Sequence, residues 1–300
     1  MEILPTCFSL GECYYQTMRF KTGLGILFLT LLCACNTAQD VPYNELRTLG
    51  DEQTAHFFYP SSGGTVEAYL SRPRGIGPFP LVLLLHGHSF VGRGAGQVLS
   101  TAKAFTNEGC FASLAISLPG YGSTRVTGGT IEQTTRQVVK DGLSAVEQLS
   151  WIDKTHIALF GVSRGAVAAA AVSKEVEGLS GMVLYSGAYD LGRLYRETSN
   201  YWLRRMLNPN GDENPKLLSL LPEASKWHAP TLILHGEQDM VIPVNQSLLL
   251  RDQLKAAGVP YRLVLYPHNG HFLPRASVRE ESINFLKEIA PSSCAAASAS

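Results

Sequence analysis

The run Pro80-Leu81-Val82-Leu83-Leu84-Leu85 carries no polar side chain, so as a strand it has no face to offer to water. Such a strand needs cover on both sides, which points to a parallel sheet with helices above and below it. Phe111–Ser117, His156–Phe160, Gly181–Tyr185, Thr231–Leu234 and Tyr261–Tyr266 predict further strands. Between them lie Gly96–Asn107, Thr130–Leu149, Ser163–Val176, Val244–Ala257 and Ser277–Ile289, which predict helices. In the second of these Ile131, Val138, Leu143, Val146 and Leu149 keep helical spacing, and Thr130 with Gln133 predicts a capping box. Strands alternating with helices give βαβ units, right-handed crossovers and a mostly parallel, doubly wound α/β sheet. His56–Pro60 and Thr65–Arg72, separated by Ser61-Ser62-Gly63-Gly64, predict an antiparallel hairpin at one edge of that sheet.

Residues 190–228 break the rhythm with Tyr195, Tyr201, Trp202 and Leu203, and read as a helical insertion able to act as a lid. Residues 55–290 are therefore expected to form one domain, with 36–54 a polar tether and 291–300 a disordered, Ala- and Ser-rich tail. Before the tether, Arg19 and Lys21 precede the uncharged run Gly23–Leu32, too short for a membrane span of about 20 apolar residues. Its length suits a signal peptide, and small or polar residues follow at once. Leu32-Cys33-Ala34-Cys35 resembles the lipobox of bacterial lipoproteins, which implies cleavage of residues 1–35, a lipid on Cys35 and a place on the cell envelope. A plainly secreted protein is the second choice. Glu2 and Glu12 do not suit a signal peptide, so translation is expected to start at Met18, with residues 1–17 a mis-assigned start. Lys plus Arg equals Asp plus Glu at 25 each, which disfavours a nucleic-acid partner. Six scattered cysteines make no disulfide scaffold, and no bridge is expected between Cys110, at a strand start, and Cys294, in the tail.

Gly161-Val162-Ser163-Arg164-Gly165 sits between an apolar strand and an Ala-rich helix. A nucleophile on a tight strand-to-helix turn needs small neighbours, and the helix N-terminus favours developing negative charge. A serine hydroxyl needs a base, and the base needs an orienting acid. In His235-Gly236-Glu237-Gln238-Asp239, Asp239 is the candidate acid, with Glu237 its near competitor and Asp190 a more distant one. In His268-Asn269-Gly270-His271-Phe272, His271 is the candidate base and His268 the alternative. The chain order is serine, acid, histidine.

From about residue 55 to 290 the chain resembles an α/β-hydrolase, close to the dienelactone hydrolase and prolyl-oligopeptidase-like group. The resemblance rests on Gly161–Gly165, on the His235–Asp239 segment and on Gly270-His271-Phe272. It implies Ser163 as nucleophile, Asp239 as acid and His271 as base. It also implies an oxyanion hole built from the backbone N–H of Arg164 and one from His88 or Ser89, in His86-Gly87-His88-Ser89 after the first buried strand. Dienelactone hydrolases proper carry cysteine where this chain has serine. Peptide-cutting relatives carry a propeller ahead of the hydrolase, and nothing in this sequence is expected to form one. The expectation is a serine esterase for a small-molecule ester, acting through an acyl-enzyme. A small peptidase or amidase, and a hydrolase-fold binding protein without catalysis, are the alternatives. Tyr121, in Leu118-Pro119-Gly120-Tyr121-Gly122, is a candidate pocket residue, as are Tyr201 and Trp202 from the insertion, where Arg204 and Arg205 also lie. No cofactor and no metal are expected, since His86 and His88 have no carboxylate or cysteine cluster beside them. The oligomeric state stays open.

Overall fold

Every residue of the run Phe79–Leu85 is buried, and its side chains alternate between two cores. Leu81, Leu83 and Leu85 point into one and Val82 and Leu84 into the other, as a strand covered on both faces requires. The computed structural model describes residues 39–213, 215, 217–292 and 294. Its strands are β1 (Gln39–Asp40), β2 (Thr54–Ser61), β3 (Gly64–Ser71), β4 (Phe79–Leu85), β5 (Ala112–Ile116), β6 (Ile152–Val162), β7 (Leu179–Tyr185), β8 (Thr231–Gly236) and β9 (Tyr261–Tyr266). They form one nine-stranded sheet in the order β1-β2-β3-β5-β4-β6-β7-β8-β9. From β5 to β9 all neighbours run parallel, while β3 pairs antiparallel with both β2 and β5, so the hairpin lies towards one edge. This is the α/β-hydrolase architecture.

The helices are α1 (Leu99–Gly109), α2 (Ile131–Val146), α3 (Arg164–Val172), α4 (Leu191–Glu197), α5 (Tyr201–Leu207), α6 (Leu221–Ala224), α7 (Asn245–Ala257) and α8 (Arg275–Ile289). Val138 and Val139 of α2, the alanines of α3 and Leu250 and Leu254 of α7 fill one core. Phe105 of α1 and Val278, Ile283, Phe285 and Leu286 of α8 fill the other. At the start of α2 the Gln133 N–H donates to Thr130 Oγ1, and the Thr130 N–H donates to Gln133 Oε1, completing the capping box. Between β7 and β8 the expected insertion consists of α4, α5 and α6, capped by Asp190 and Asn200 at the first two.

Two expectations need correction. The tether over 36–54 does not hold from residue 39 onward: β1 pairs with β2, and a 3-10 turn at Tyr43–Thr48 brings Leu46 and Leu49 into the core. Two apolar side chains three residues apart leave too little periodicity to stand out, yet one turn is enough to bury both. The second correction concerns the cysteines. Cys110 and Cys294 form a disulfide, with Cα atoms 5.5 Å apart, and Ser292 Oγ donates to the Gly109 carbonyl at 2.6 Å. The start of the tail is thus fastened to the end of α1, where Cys110 takes the left-handed conformation that terminates the helix. The leader over 1–35, including Cys35, and the last residues of the tail lie outside the described residues.

Candidate active site

The parallel strands all end at the same edge of the sheet, and open α/β sheets bind ligands there. β6 stops at Val162, Ser163 turns the chain with φ 53° and ψ −115°, and α3 begins at Arg164. A non-glycine residue with positive φ is strained, and the surrounding backbone holds it in place. A Cβ at Gly161 would overlap the Gly165 carbonyl, and one at Gly165 would overlap the Leu85 carbonyl. Both motif glycines are therefore dictated by close backbone approach. The Ser163 N–H donates to the Tyr185 carbonyl at 2.7 Å, tying the turn to β7.

Three side chains stand in line. Ser163 Oγ is 3.0 Å from His271 Nε2, and His271 Nδ1 is 2.7 Å from Asp239 Oδ2. With the carboxylate as acceptor, Nδ1 carries the proton and Nε2 is free to accept the serine hydrogen. Asp239 is buried, and its Oδ1 accepts the N–H groups of Val241 and Ile242, each at 2.8 Å. Burial alone would raise its pKa, but hydrogen bonds from His235, His271 and Ile242 outweigh that and hold the carboxyl far below its usual range. The competitors lie elsewhere: Glu237 and His268 are exposed, and Asp190 caps α4 through the Arg193 N–H.

His235 is a member of this site that has no assigned role in the sequence reading. It is wholly buried at the end of β8, with Nε2 2.8 Å from the Ile242 carbonyl and 3.2 Å from Asp239 Oδ2. Two acceptors on one side place the proton on Nε2, so Nδ1 accepts from Ser247 Oγ of α7 at 2.7 Å. His235 thus anchors the Asp239 loop from below. Tyr185 does the same for the His271 loop, its hydroxyl oxygen accepting the Leu273 N–H at 2.6 Å.

The loop after β4 runs beside Ser163, because a Cβ at Gly87 would sit 3.5 Å from Ser163 Cβ. His88 and Ser89 follow Gly87 directly in this loop, and Arg164, next after Ser163, opens α3 with an N–H that has no partner earlier in the helix. His86, beneath them, is buried with pKa lowered to about 4, mainly by burial, the Arg164 charge adding to it. Its neutral ring accepts the Leu118 N–H at Nε2 (2.9 Å) and donates from Nδ1 to the Gly87 carbonyl (2.7 Å). Tyr121 is buried against both histidines, with its hydroxyl 2.6 Å from His88 Nδ1. Tyr201 and Trp202 lie on α5, stacked edge-on against each other and about two-thirds exposed. Their helix meets the Asp239 loop through Leu203, which clusters with Ile242. Phe90, Met240 and Phe272, neighbours in sequence or space of His88, Asp239 and His271, are exposed by 82%, 86% and 82%. They give the site an apolar rim.

Below the same loops lies Glu67 of β3. Its carboxylate accepts Ser117 Oγ at 2.6 Å and the Ser123 N–H at 3.1 Å and faces His56 Nε2 at 3.2 Å, while Asp40 takes the other His56 nitrogen at 2.6 Å. Burial raises the Glu67 pKa, but these bonds prevail and bring it to about 2. A Cβ at Gly122 would overlap this carboxylate, so the loop that carries Tyr121 is moulded onto it.

The sequence pattern of the prolyl oligopeptidase family matches residues 129–290, and that of the FrsA-like esterases matches residues 19–178. Among curated proteins, the uncharacterized peptidase YtmA of Bacillus subtilis (strain 168) is 29% identical over 149 residues, 45% of this chain and 56% of that protein. Dipeptidyl-peptidase 5 of Porphyromonas endodontalis is 25% identical over 149 residues, 46% of this chain and 22% of that one. The match therefore spans about half of the first relative's length and less of the second's. Among solved structures, the acylaminoacyl peptidase of Pyrococcus horikoshii superimposes with a TM-score of 0.63 at 17% identity, covering 84% of this chain and 44% of that one. Est1E of Butyrivibrio proteoclasticus, solved with ferulic acid, gives 0.62 at 19% identity, covering 77% and 98%.

Proposed function

Because the chain belongs to the prolyl oligopeptidase family and, through residues 19–178, to the FrsA-like esterases, it is a serine hydrolase, and we propose that its substrates are carboxylic esters. The observation that carries the reading is the unbroken line from Ser163 Oγ through His271 to the buried Asp239. In the first step His271 Nε2 takes the Ser163 proton as Oγ bonds to the ester carbonyl carbon. The oxyanion that forms is met by the Arg164 N–H and by the backbone of His88-Ser89. The carbon–oxygen bond to the alcohol then breaks as His271 returns its proton to the leaving oxygen. Water, deprotonated by His271, attacks the acyl-enzyme, and the acid leaves as Ser163 regains its proton. Asp239 remains a carboxylate throughout and stabilises the imidazolium.

Support for an ester over a peptide comes from the apolar rim and from the FrsA-like match. The peptidase reading is the second one, favoured by relatives whose names are those of peptidases. Hydrolysis of p-nitrophenyl acetate, butyrate and octanoate, beside blocked dipeptide p-nitroanilides, separates the two. Ester hydrolysis is expected to dominate in kcat/KM, and anilide cleavage at equal or higher efficiency would give the peptidase reading.

The same proposal includes export and a lipid on Cys35. The order of positive charge, apolar run and Leu32-Cys33-Ala34-Cys35 supports it, as does the Cys110–Cys294 disulfide, since such bonds persist in oxidising compartments. Among the described residues no helix is long and apolar enough to cross a membrane. Replacing Cys35 by Ala is expected to move the protein from the membrane to the soluble fraction.

A further inference from the structure

Among the described residues, the cation that follows the nucleophile in the chain has no anion to match it. Arg164 is half-buried directly after Ser163, and among the described residues no carboxylate lies within ion-pair distance of it. Its guanidinium lies over the Tyr121 ring at 5.2 Å and spends one N–H on the Tyr121 hydroxyl, at 3.4 Å. A guanidinium has five N–H donors in a planar fork, so most of this one's capacity is unspent. The same cluster holds a second idle donor. With Arg164 donating to the Tyr121 oxygen, the Tyr121 hydroxyl donates to His88 Nδ1, which leaves the His88 proton on Nε2. That nitrogen is buried and, among the described residues, has no partner. Burial and the Arg164 charge both lower the His88 pKa, so the ring is neutral near pH 7.

Resting on the serine-hydrolase reading, we propose that Arg164 recognises a carboxylate on the substrate, set a few bonds from the scissile carbonyl, so that the preferred esters are hemi-esters of short dicarboxylic acids. The backbone of Arg164 faces the oxyanion while its side chain, laid back on Tyr121, faces the second acid group. A planar carboxylate accepts two parallel N–H bonds from a guanidinium, and the half-buried setting limits screening by water. The rim of Phe90, Met240 and Phe272 is left for the alcohol part of the ester.

The test compares mono-4-nitrophenyl glutarate with the neutral 4-nitrophenyl hexanoate, using the Ser163→Ala protein to subtract spontaneous hydrolysis. The wild type is expected to favour the anionic ester in kcat/KM by about tenfold or more, mostly through KM. Arg164→Met is expected to bring the ratio of the two esters to one or below, and Arg164→Lys to restore part of it. Because the readout is a ratio, any general loss of activity in these variants cancels. The wild-type preference should also shrink as salt rises from about 0.05 to about 0.5 M. Equal or lower efficiency on the anionic ester in the wild type would overturn the proposal while leaving the hydrolase intact. Equal losses on both esters in Arg164→Met would do the same, assigning the side chain to the oxyanion. No turnover of either ester would remove the hydrolase reading and this one with it.

Discussion

Two segments of this molecule follow neighbouring strands of one sheet and could hardly be held more differently. The turn after β6 is over-determined: Gly161 and Gly165 have no room for a methyl group, and Ser163 is locked at positive φ by a hydrogen bond to β7. The insertion after β7 is made of short helices, and on α5 Tyr201, Trp202 and Met206 face solvent. The contrast separates two tasks. Aiming a nucleophile requires a backbone with one permitted conformation, whereas the bank beside the site needs only to be present. Strain at Ser163 is stabilised by the buried strands around it; of the insertion, the α6 end joins that framework through Leu220, Ala224 and Trp227, while α5 keeps those three large side chains on the outside.

If the contrast is right, substitutions at the turn have large effects and those on the exposed face of α5 small ones. The largest is expected for Ser163→Ala and His271→Ala, each lowering kcat/KM for p-nitrophenyl butyrate by about 10⁴-fold or more with unchanged circular dichroism. His268→Ala, on an exposed side chain, should stay near wild type, and its loss of activity would show that the base had been misassigned. Gly165→Ala comes next. Its Cβ meets the Leu85 and His86 carbonyls, so urea unfolding should register a loss of about 3 kcal/mol or more.

Glu67→Gln should cost about 3 kcal/mol at pH 7, the equivalent of a carboxyl whose pKa falls from 4.5 to about 2 on folding. The sign follows from that fall. The contribution is complete above about pH 4.5 and disappears as pH drops towards 2, so the variant's stability should vary less than wild type across that acid range. His56, whose pKa is raised by its bond to Glu67 against the opposing effect of burial, works in the other direction. Its share is full below the ordinary value of 6.5 and is lost as pH climbs through the raised one. Cys110→Ser should lower stability by about 2–4 kcal/mol in non-reducing urea titrations, and a reductant should bring the wild type to the same midpoint. At the small end, Trp202→Ala should shift stability by no more than about 0.5 kcal/mol. A shift several times larger would mean that α5, like α6, is part of the framework.

What could be read from the sequence follows the same division. The parallel sheet is legible because strands such as β4 must be apolar on both faces, and that leaves an unbroken run. Gly161 and Gly165 are legible because the turn forbids any other residue at either position. Asp239 and His271 stand at strand ends within a few residues of their competitors, and only the folded loops separate them from Glu237 and His268. The hidden parts depend on distant partners. His235 earns its place only when α7 brings Ser247 to it, and Glu67 acts on a loop some fifty residues further along the chain. The Cys110–Cys294 bridge spans 184 residues, beyond any local signal. Leu46 and Leu49, two apolar residues in a polar stretch, show nothing until β1 joins β2.

The central claim is that Ser163, activated by His271, forms the covalent acyl-enzyme. Reaction with a p-nitrophenyl alkylphosphonate followed by peptide mass spectrometry addresses it directly, because the phosphonate stays on the nucleophile. One adduct on the peptide containing Ser163, absent in Ser163→Ala and greatly slowed in His271→Ala, is the predicted result. An adduct on another residue, or no adduct on a folded wild-type protein, would contradict the account.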